Sequence, residues 1–311
     1  IKEMWESKIL SNGGPYHQQL ETELCRALKV KHVALVNNGT IGLMIALRAL
    51  GVNDSEVITT PYSFVATSSA IIWTNNRPVY VDIDPSTSNI DPNKIEAQIT
   101  PQTRAILAVH CYGHPCAMDQ IRMIAQKHNL LVIYDAAHSF GVETLNGSIL
   151  NQGDLSVLSF HATKSFNTFE GGAIVCHSKE MKEKIDQLKN FGFLSEVEVE
   201  QIGINAKMSE FNAAVGLVQL KYFDQATKAS AGIDQLYRSL LQDIPGIECI
   251  ENKDATKKNY NYFPVLVKKE YLLSRNELYD LLKKHNIYTR RYFYPLITDF
   301  NPYREFLSAP L

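Results

Sequence analysis

From His32 to His177 the chain alternates between short apolar, β-rich runs and longer stretches of helical spacing, and few folds accept that pattern. His32–Val36 (HVALV) leads through Asn37–Thr40 into IGLMIALRAL. Glu56–Thr60 (EVITT) leads through PYSF into VATSSAIIW. Arg77–Ile83, Ala105–His110, Leu130–Asp135, Leu155–Phe160 and Gly172–His177 continue the series, with a helix expected near Met118–His128. Short strands separated by amphipathic helices predict βαβ units, hence an α/β fold with a mostly parallel central sheet and helices on both faces. Such sheets bind ligands beyond the carboxyl ends of their strands. The polar residues that end the strands are therefore the first candidates. Asn37–Thr40, Thr60–Phe64, His110, Asp135–His138 and Ser159–Lys164 all fall on that one edge.

The pattern changes after Met181. MKEKIDQLKNFGF reads as a helix stopped by glycine, and Ser209 to about Leu240 as one long helix. NYFPVLV reads as a strand and SRNELYDLLKKHN as a helix opened by a Ser-x-x-Glu capping box. IYTRRYFYPL reads as a strand or extended segment. A boundary is expected near residue 225, with a large domain over 1–225 and a smaller α+β domain over 226–311. The chain begins at Ile1 without Met and stops at FLSAPL, so part of each end, and of the small domain, is expected to be missing.

Composition narrows the function classes. Hydrophobic residues make up 45% of the 311, enough for a sizeable core. The formal net charge of −2 gives no basic field for nucleic acid. Five cysteines, an odd and scattered set, fit reduced thiols in a cytoplasmic enzyme. No apolar run approaches the ~20 residues of a membrane span.

Lys164 follows the apolar run LSVLSF, which brings it out at the ligand edge. A surface lysine is simply solvated; a partly desolvated one becomes a nucleophile toward carbonyls. Asp135 ends the apolar run LLVIYD. It could cap the next turn, bind a metal, or face a protonated ring nitrogen. The chain has no G-x-x-x-x-G-K-[ST], so a nucleotide triphosphatase lacks its phosphate loop. A lysine for an imine and an acid for a pyridine nitrogen are together what pyridoxal phosphate needs. Gly39 and Thr40, opening a helix, offer an anion site for its phosphate, and the Ser159 hydroxyl could join them. Phe64 could stack on the ring or pack in the core. HCYGHPC (His110–Cys116) has no second ligand pair, so a turn is expected there and no metal site. TRRYFY (Thr289–Tyr294) could be a solvated edge strand, or could hold a diphosphate and a base.

Taken together, SNGGPYHQQLETEL, NNGTIGLMIAL, TTPYSFVATSSAI, VHCYGHPCAMDQI, YDAAHSFG, SFHATKSFNTFEGGA, LKNFGF, GINAKMSEFNAAVGL and TRRYFYPL resemble the DegT/DnrJ-type sugar-nucleotide aminotransferases, in that family's order and over nearly the whole chain. The resemblance implies the aspartate-aminotransferase-like type I pyridoxal phosphate fold, with residues 1–225 as the cofactor-binding domain. It implies that Lys164 forms the imine and moves the proton, that Asp135 pairs with the pyridine nitrogen, and that His138 bonds the ring hydroxyl. Phe64 would stack on the ring; Gly39, Thr40 and Ser159 would hold the phosphate. Asn205 would reach the phosphate of a neighbouring subunit, implying a homodimer with shared active sites. Asn12, Lys207, Arg290, Arg291 and Tyr292 would contact substrate, although many relatives have histidine where this chain has Tyr292. His161 is expected to be structural.

Within the family, LSNGGPYHQQLE, SFHATKSFNTFEGGAIV and RRYFYPL resemble most the viosamine-forming branch. That branch moves an amine from L-glutamate to C4 of dTDP-4-keto-6-deoxy-glucose for bacterial O-antigen. A 3-aminotransferase remains an alternative. A sugar dehydratase, which carries histidine in place of Lys164, and a non-catalytic relative fit less well. Neither nucleic acid, membrane nor metal is an expected partner.

Overall fold

The computed structural model describes residues 2–9, 11–251 and 253–306. The stop at FLSAPL lies almost wholly outside them. Seven strands form the central sheet: β1 (His32–Val36), β2 (Glu56–Thr59), β3 (Arg77–Tyr80), β4 (Thr103–Val109), β5 (Leu131–Asp135), β6 (Leu155–Ser159) and β7 (Gly172–Cys176). Their spatial order is β1-β7-β6-β5-β4-β2-β3. Only β7 is antiparallel to its neighbours, so β1 to β6 all point the same way. Their carboxyl ends share one edge, as the sequence predicts, and β5 sits at the centre. Ile106, Leu107 and Ala108 of β4 and Ile133 of β5 are fully buried, which is why these strands read as continuous apolar runs.

The helices that cover the sheet are α1 (Pro15–Leu28), α2 (Gly39–Ala49), α3 (Val65–Trp73), α4 (Met118–His128), α5 (Lys179–Leu188) and α6 (Glu210–Leu241). α2 packs on β6, β7, α3 and α5, while α1 packs on β1 and α6. Glu210, fully buried at the start of α6, caps α1. Its Oε2 accepts from the Tyr16 N–H at 3.0 Å and its Oε1 from the His17 N–H at 2.9 Å. Gly14 permits this approach, because a Cβ there would lie 2.7 Å from the Glu210 carboxyl carbon. The contact ties the Ser11–Gly14 loop, which carries Asn12, to the segment that carries Lys207.

α6 runs through residue 225 without a break, so a division of the chain there lies within a helix and not in a linker. Beyond it, Ile247–Cys249 pairs antiparallel with Val265–Val267. The strand expected over NYFPVLV is thus only its last three residues, because Pro264 has no N–H to extend the ladder. α7 (Arg275–Lys284) has the expected capping box from Ser274 and Glu277. Residues 287–296 form no strand. Tyr292 and Phe293 instead turn inward, where they pack with Tyr62, Tyr112 and Tyr262. A hairpin of Phe193–Ser195 and Glu198–Val199 stands where no strand was expected. Among the described residues no helix is long and apolar enough to cross a membrane.

Candidate active site

The ends of β2, β4, β5 and β6 bring the candidate residues together. Asp135 closes the central strand and is 7% exposed. Its Oδ2 accepts from the Thr67 hydroxyl at 2.8 Å and its Oδ1 from the Ala137 N–H at 3.1 Å. Burial pushes this carboxyl above its ordinary value, against the pull of Thr67, Ala137 and the Lys164 charge. His138, three residues on, accepts from the Tyr112 N–H at Nδ1, 3.1 Å away. Burial, aided by the Lys164 charge, holds the imidazole well below its usual range. The ring is therefore neutral, with its proton on Nε2.

Lys164 lies on the loop after β6, half-buried. Burial lowers its amine and the charge of Asp135 partly opposes that. Its Nζ donates to the Tyr262 hydroxyl at 3.4 Å. This lysine is not the solvated one that surface statistics favour.

Gly39 opens α2 directly against Ser159. A Cβ on Gly39 would lie 3.1 Å from Ser159 Cβ, and one on Gly172 would lie 2.9 Å from the Gly39 nitrogen and 2.8 Å from Leu158 O. Asn38 caps the helix by accepting from the Ile41 N–H at 2.9 Å, the residue just beyond Gly39 and Thr40. The helix N-terminus and a serine hydroxyl thus meet in one small cradle, a favourable place for an anion.

Phe64 is 64% exposed at the start of α3, which rules out its core-packing alternative. Tyr292 is half-buried; its carbonyl accepts from Tyr62 Oη at 2.8 Å, and its ring lies 5.7 Å from that of Tyr262. The charge of Arg290 is felt at the Tyr262 phenol. Arg291 turns elsewhere, stacking over Tyr279 at 4.6 Å and donating to Asn276 Oδ1 at 3.0 Å. Lys207 donates to Asn190 Oδ1 at 2.8 Å and lies 4.8 Å over the Phe191 ring. Asn205 is exposed, its backbone bridging to Asn190. Asn12 is half-buried in the loop before α1. His161 is exposed, its Nδ1 3.0 Å from Thr163 Oγ1.

HCYGHPC forms a buried turn. Cys116 N–H donates to His110 Nδ1 at 3.0 Å, and the His110 ring stacks on Tyr134 at 4.5 Å. Burial drops that imidazole to about 3 and raises both thiols. Among the described residues no cluster of His, Cys, Asp or Glu could hold a metal ion.

Sequence reasoning missed Thr67, Tyr112 and Tyr262. Thr67 left a faint signal, a hydroxyl one helical turn after Ser63, to which it is hydrogen-bonded at 2.8 Å. Tyr262 left none.

A model of the DegT/DnrJ/EryC1/StrS aminotransferase family matches residues 1–309. The chain belongs to that family. A dTDP-4-amino-4,6-dideoxy-D-glucose transaminase of Shigella dysenteriae is 57% identical over 96% of this chain and 82% of its own length. One from Escherichia coli is 49% identical over 99% of this chain and 83% of its own. Among solved structures, DesI in the presence of its TDP-sugar product has a TM-score of 0.94 at 37% identity, covering 100% of this chain and 79% of that one. NtdA from Bacillus subtilis, with bound cofactor PMP, has a TM-score of 0.87 at 33% identity, covering 96% and 69%. The fold is therefore that of the family's pyridoxal phosphate aminotransferases.

Proposed function

We propose that the chain is a pyridoxal phosphate-dependent transaminase. It would convert dTDP-4-keto-6-deoxy-D-glucose and L-glutamate into dTDP-4-amino-4,6-dideoxy-D-glucose and 2-oxoglutarate, in the cytoplasm, for O-antigen synthesis. The observation that carries the cofactor assignment is the gathering of Lys164, Asp135 and His138 at the end of the central strands, beside an anion cradle. The substrate assignment rests on the two curated relatives, whose names carry a 4-amino sugar and so favour C4 over C3.

The residues present fit the cofactor. Gly39, Thr40 and Ser159 would supply the phosphate site, Gly39 carrying no Cβ to crowd Ser159. Bound there, the cofactor supplies an electron sink that stabilises a carbanion at the carbon exchanging its amine. Asp135 is a buried acid that gains by meeting a protonated ring nitrogen, since a cation at contact restores its charged form. His138, with Nδ1 already engaged, is left to donate its Nε2 proton to a ring oxygen. Lys164, its amine lowered by burial, would bind the cofactor and move a proton between adjacent carbons. Phe64 is exposed to cover one ring face. Asn12, Lys207, Arg290 and Tyr292 are the proposed substrate contacts, Arg291 would join them only on leaving Tyr279 and Asn276, and Asn205 would serve a second copy's site in a homodimer.

The test is direct. Purified protein with pyridoxal phosphate should absorb in the near-visible and convert the 4-keto sugar with glutamate, and Lys164→Ala should lose both properties. No chromophore on adding the cofactor would overturn the reading. Amination of the 3-keto isomer instead would move the product to C3.

A further inference from the structure

The Lys164 amine needs something to hold it whenever it is not covalently engaged. A free lysine side chain carries ~2 kcal/mol of rotamer entropy and wanders. The structure supplies a holder from far along the chain. Tyr262, 98 residues beyond, sits just ahead of Val265–Val267 and accepts a hydrogen bond from Lys164 Nζ at 3.4 Å. The Tyr262 ring is itself pinned. It lies 4.3 Å from the His138 imidazole, 5.8 Å from Tyr112 and 5.7 Å from Tyr292. The amine lies 5.9 Å from that ring's centroid, beyond the hydroxyl, so the hydroxyl is the group that meets it.

Burial pushes the phenol well up, with the neighbouring Tyr292 adding to the effect, so it stays protonated around neutral pH. A protonated phenol both gives and takes hydrogen bonds. It accepts from an ammonium and donates to a free amine, so Lys164 keeps a partner in either state without water. Tyr262 also joins the two parts of the chain, because it comes from the C-terminal part and packs on His138 and Tyr112 beside the loop that carries Lys164.

We infer that Tyr262 is a positioning residue acting through Lys164, its hydroxyl holding the lysine amine at the cofactor site. This inference rests on the proposed role of Lys164. Tyr262→Phe removes the hydroxyl and keeps the ring against His138. It should lower kcat by about 10-fold to 100-fold, the scale of a misplaced reacting group, with KM for glutamate within about twofold. Protein stripped of cofactor and reloaded with pyridoxal 5′-phosphate should form its near-visible band about 10-fold more slowly in Tyr262→Phe, on the same scale. The deciding arm uses Lys164→Ala supplied with methylamine as a free amine. There Tyr262→Phe should change the rescued rate by less than about twofold, because the group it positions is gone.

Unchanged kcat and reloading rate in Tyr262→Phe would overturn the inference. So would an equal loss in the two backgrounds, which would mark a structural role independent of Lys164. A Lys164→Ala protein that kept the normal chromophore would overturn the reading of Lys164 itself, and is told apart by that spectrum.

Discussion

Asp135 shows how one buried residue can be costly alone and useful in company. Its carboxyl is pushed up by burial, so the folded protein holds an acid that ionises reluctantly. A protonated ring nitrogen placed against it would reverse that preference. Asp135→Asn keeps the shape and the bond from Thr67 but removes the charge. It should leave the fold intact and the cofactor bound, while kcat falls by about 100-fold, the usual size of a lost preorganised electrostatic contact. Rapid-quench rates of the glutamate half-reaction check this, and a loss below threefold would remove Asp135 from its assigned role. Lys164 and Asp135 could be singled out in the sequence because Asp135 ends an apolar strand and Lys164 follows one closely, and strand ends define the ligand edge. Thr67 and Tyr262 could not. Thr67 stands 68 residues from Asp135 and Tyr262 stands 98 from Lys164, and nothing local marks such contacts.

At the scale of elements, the joint between α1, α5 and β1 is electrostatic. Glu21 on α1 accepts from the Leu35 N–H of β1 at 3.0 Å, and lies 3.0 Å from Lys182 of α5 and 3.3 Å from Lys189 just past it. Burial would raise its carboxyl, but the His17 hydrogen bond and the two lysine charges more than offset this and hold it far below its ordinary 4.5. A depressed folded-state value stabilises the fold fully above the unfolded value. That contribution fades as pH falls below about 4.5 toward the folded value. Glu21→Gln should therefore lower Tm at pH 7 by about 3 °C, for a loss of ~2 kcal/mol, and should narrow the gap between Tm at pH 7 and at pH 4. Calorimetry at the two pH values checks it; a gap as wide as in the parent would mean that folding does not depress the Glu21 carboxyl. The central strands and the capped helices were legible because their periodicity is set locally. Over 287–296 the strand alternative does not hold, because Tyr292 and Phe293 turn inward to partners, Tyr62 and Tyr112, that come from other loops.

The whole molecule leaves apolar surface that a lone copy has no reason to keep. Around the hairpin, Leu194 is 53% exposed, Val197 96% and Ile202 100%, and on α6 Phe211, Val218 and Tyr222 also face outward. Exposed apolar surface gathered on one arm usually marks a contact with another chain. The same arm ends in Asn205, an exposed amide that caps nothing in its own chain among the hydrogen bonds described. In the proposed homodimer the arm would bury this apolar surface against a second copy, and Asn205 would serve that copy's phosphate site. The double variant Val197→Glu, Ile202→Glu places two charges in the contact without touching the sheet, Lys164 or Asp135. Light scattering on a sizing column should find the parent protein as a dimer and the variant as a monomer. If the phosphate site is shared, the monomer should also release pyridoxal phosphate more readily, although its own cradle is unaltered. A variant that stays dimeric with cofactor firmly bound would place the interface elsewhere. A monomer that binds cofactor as tightly as the parent would keep the dimer but take Asn205 out of the phosphate site.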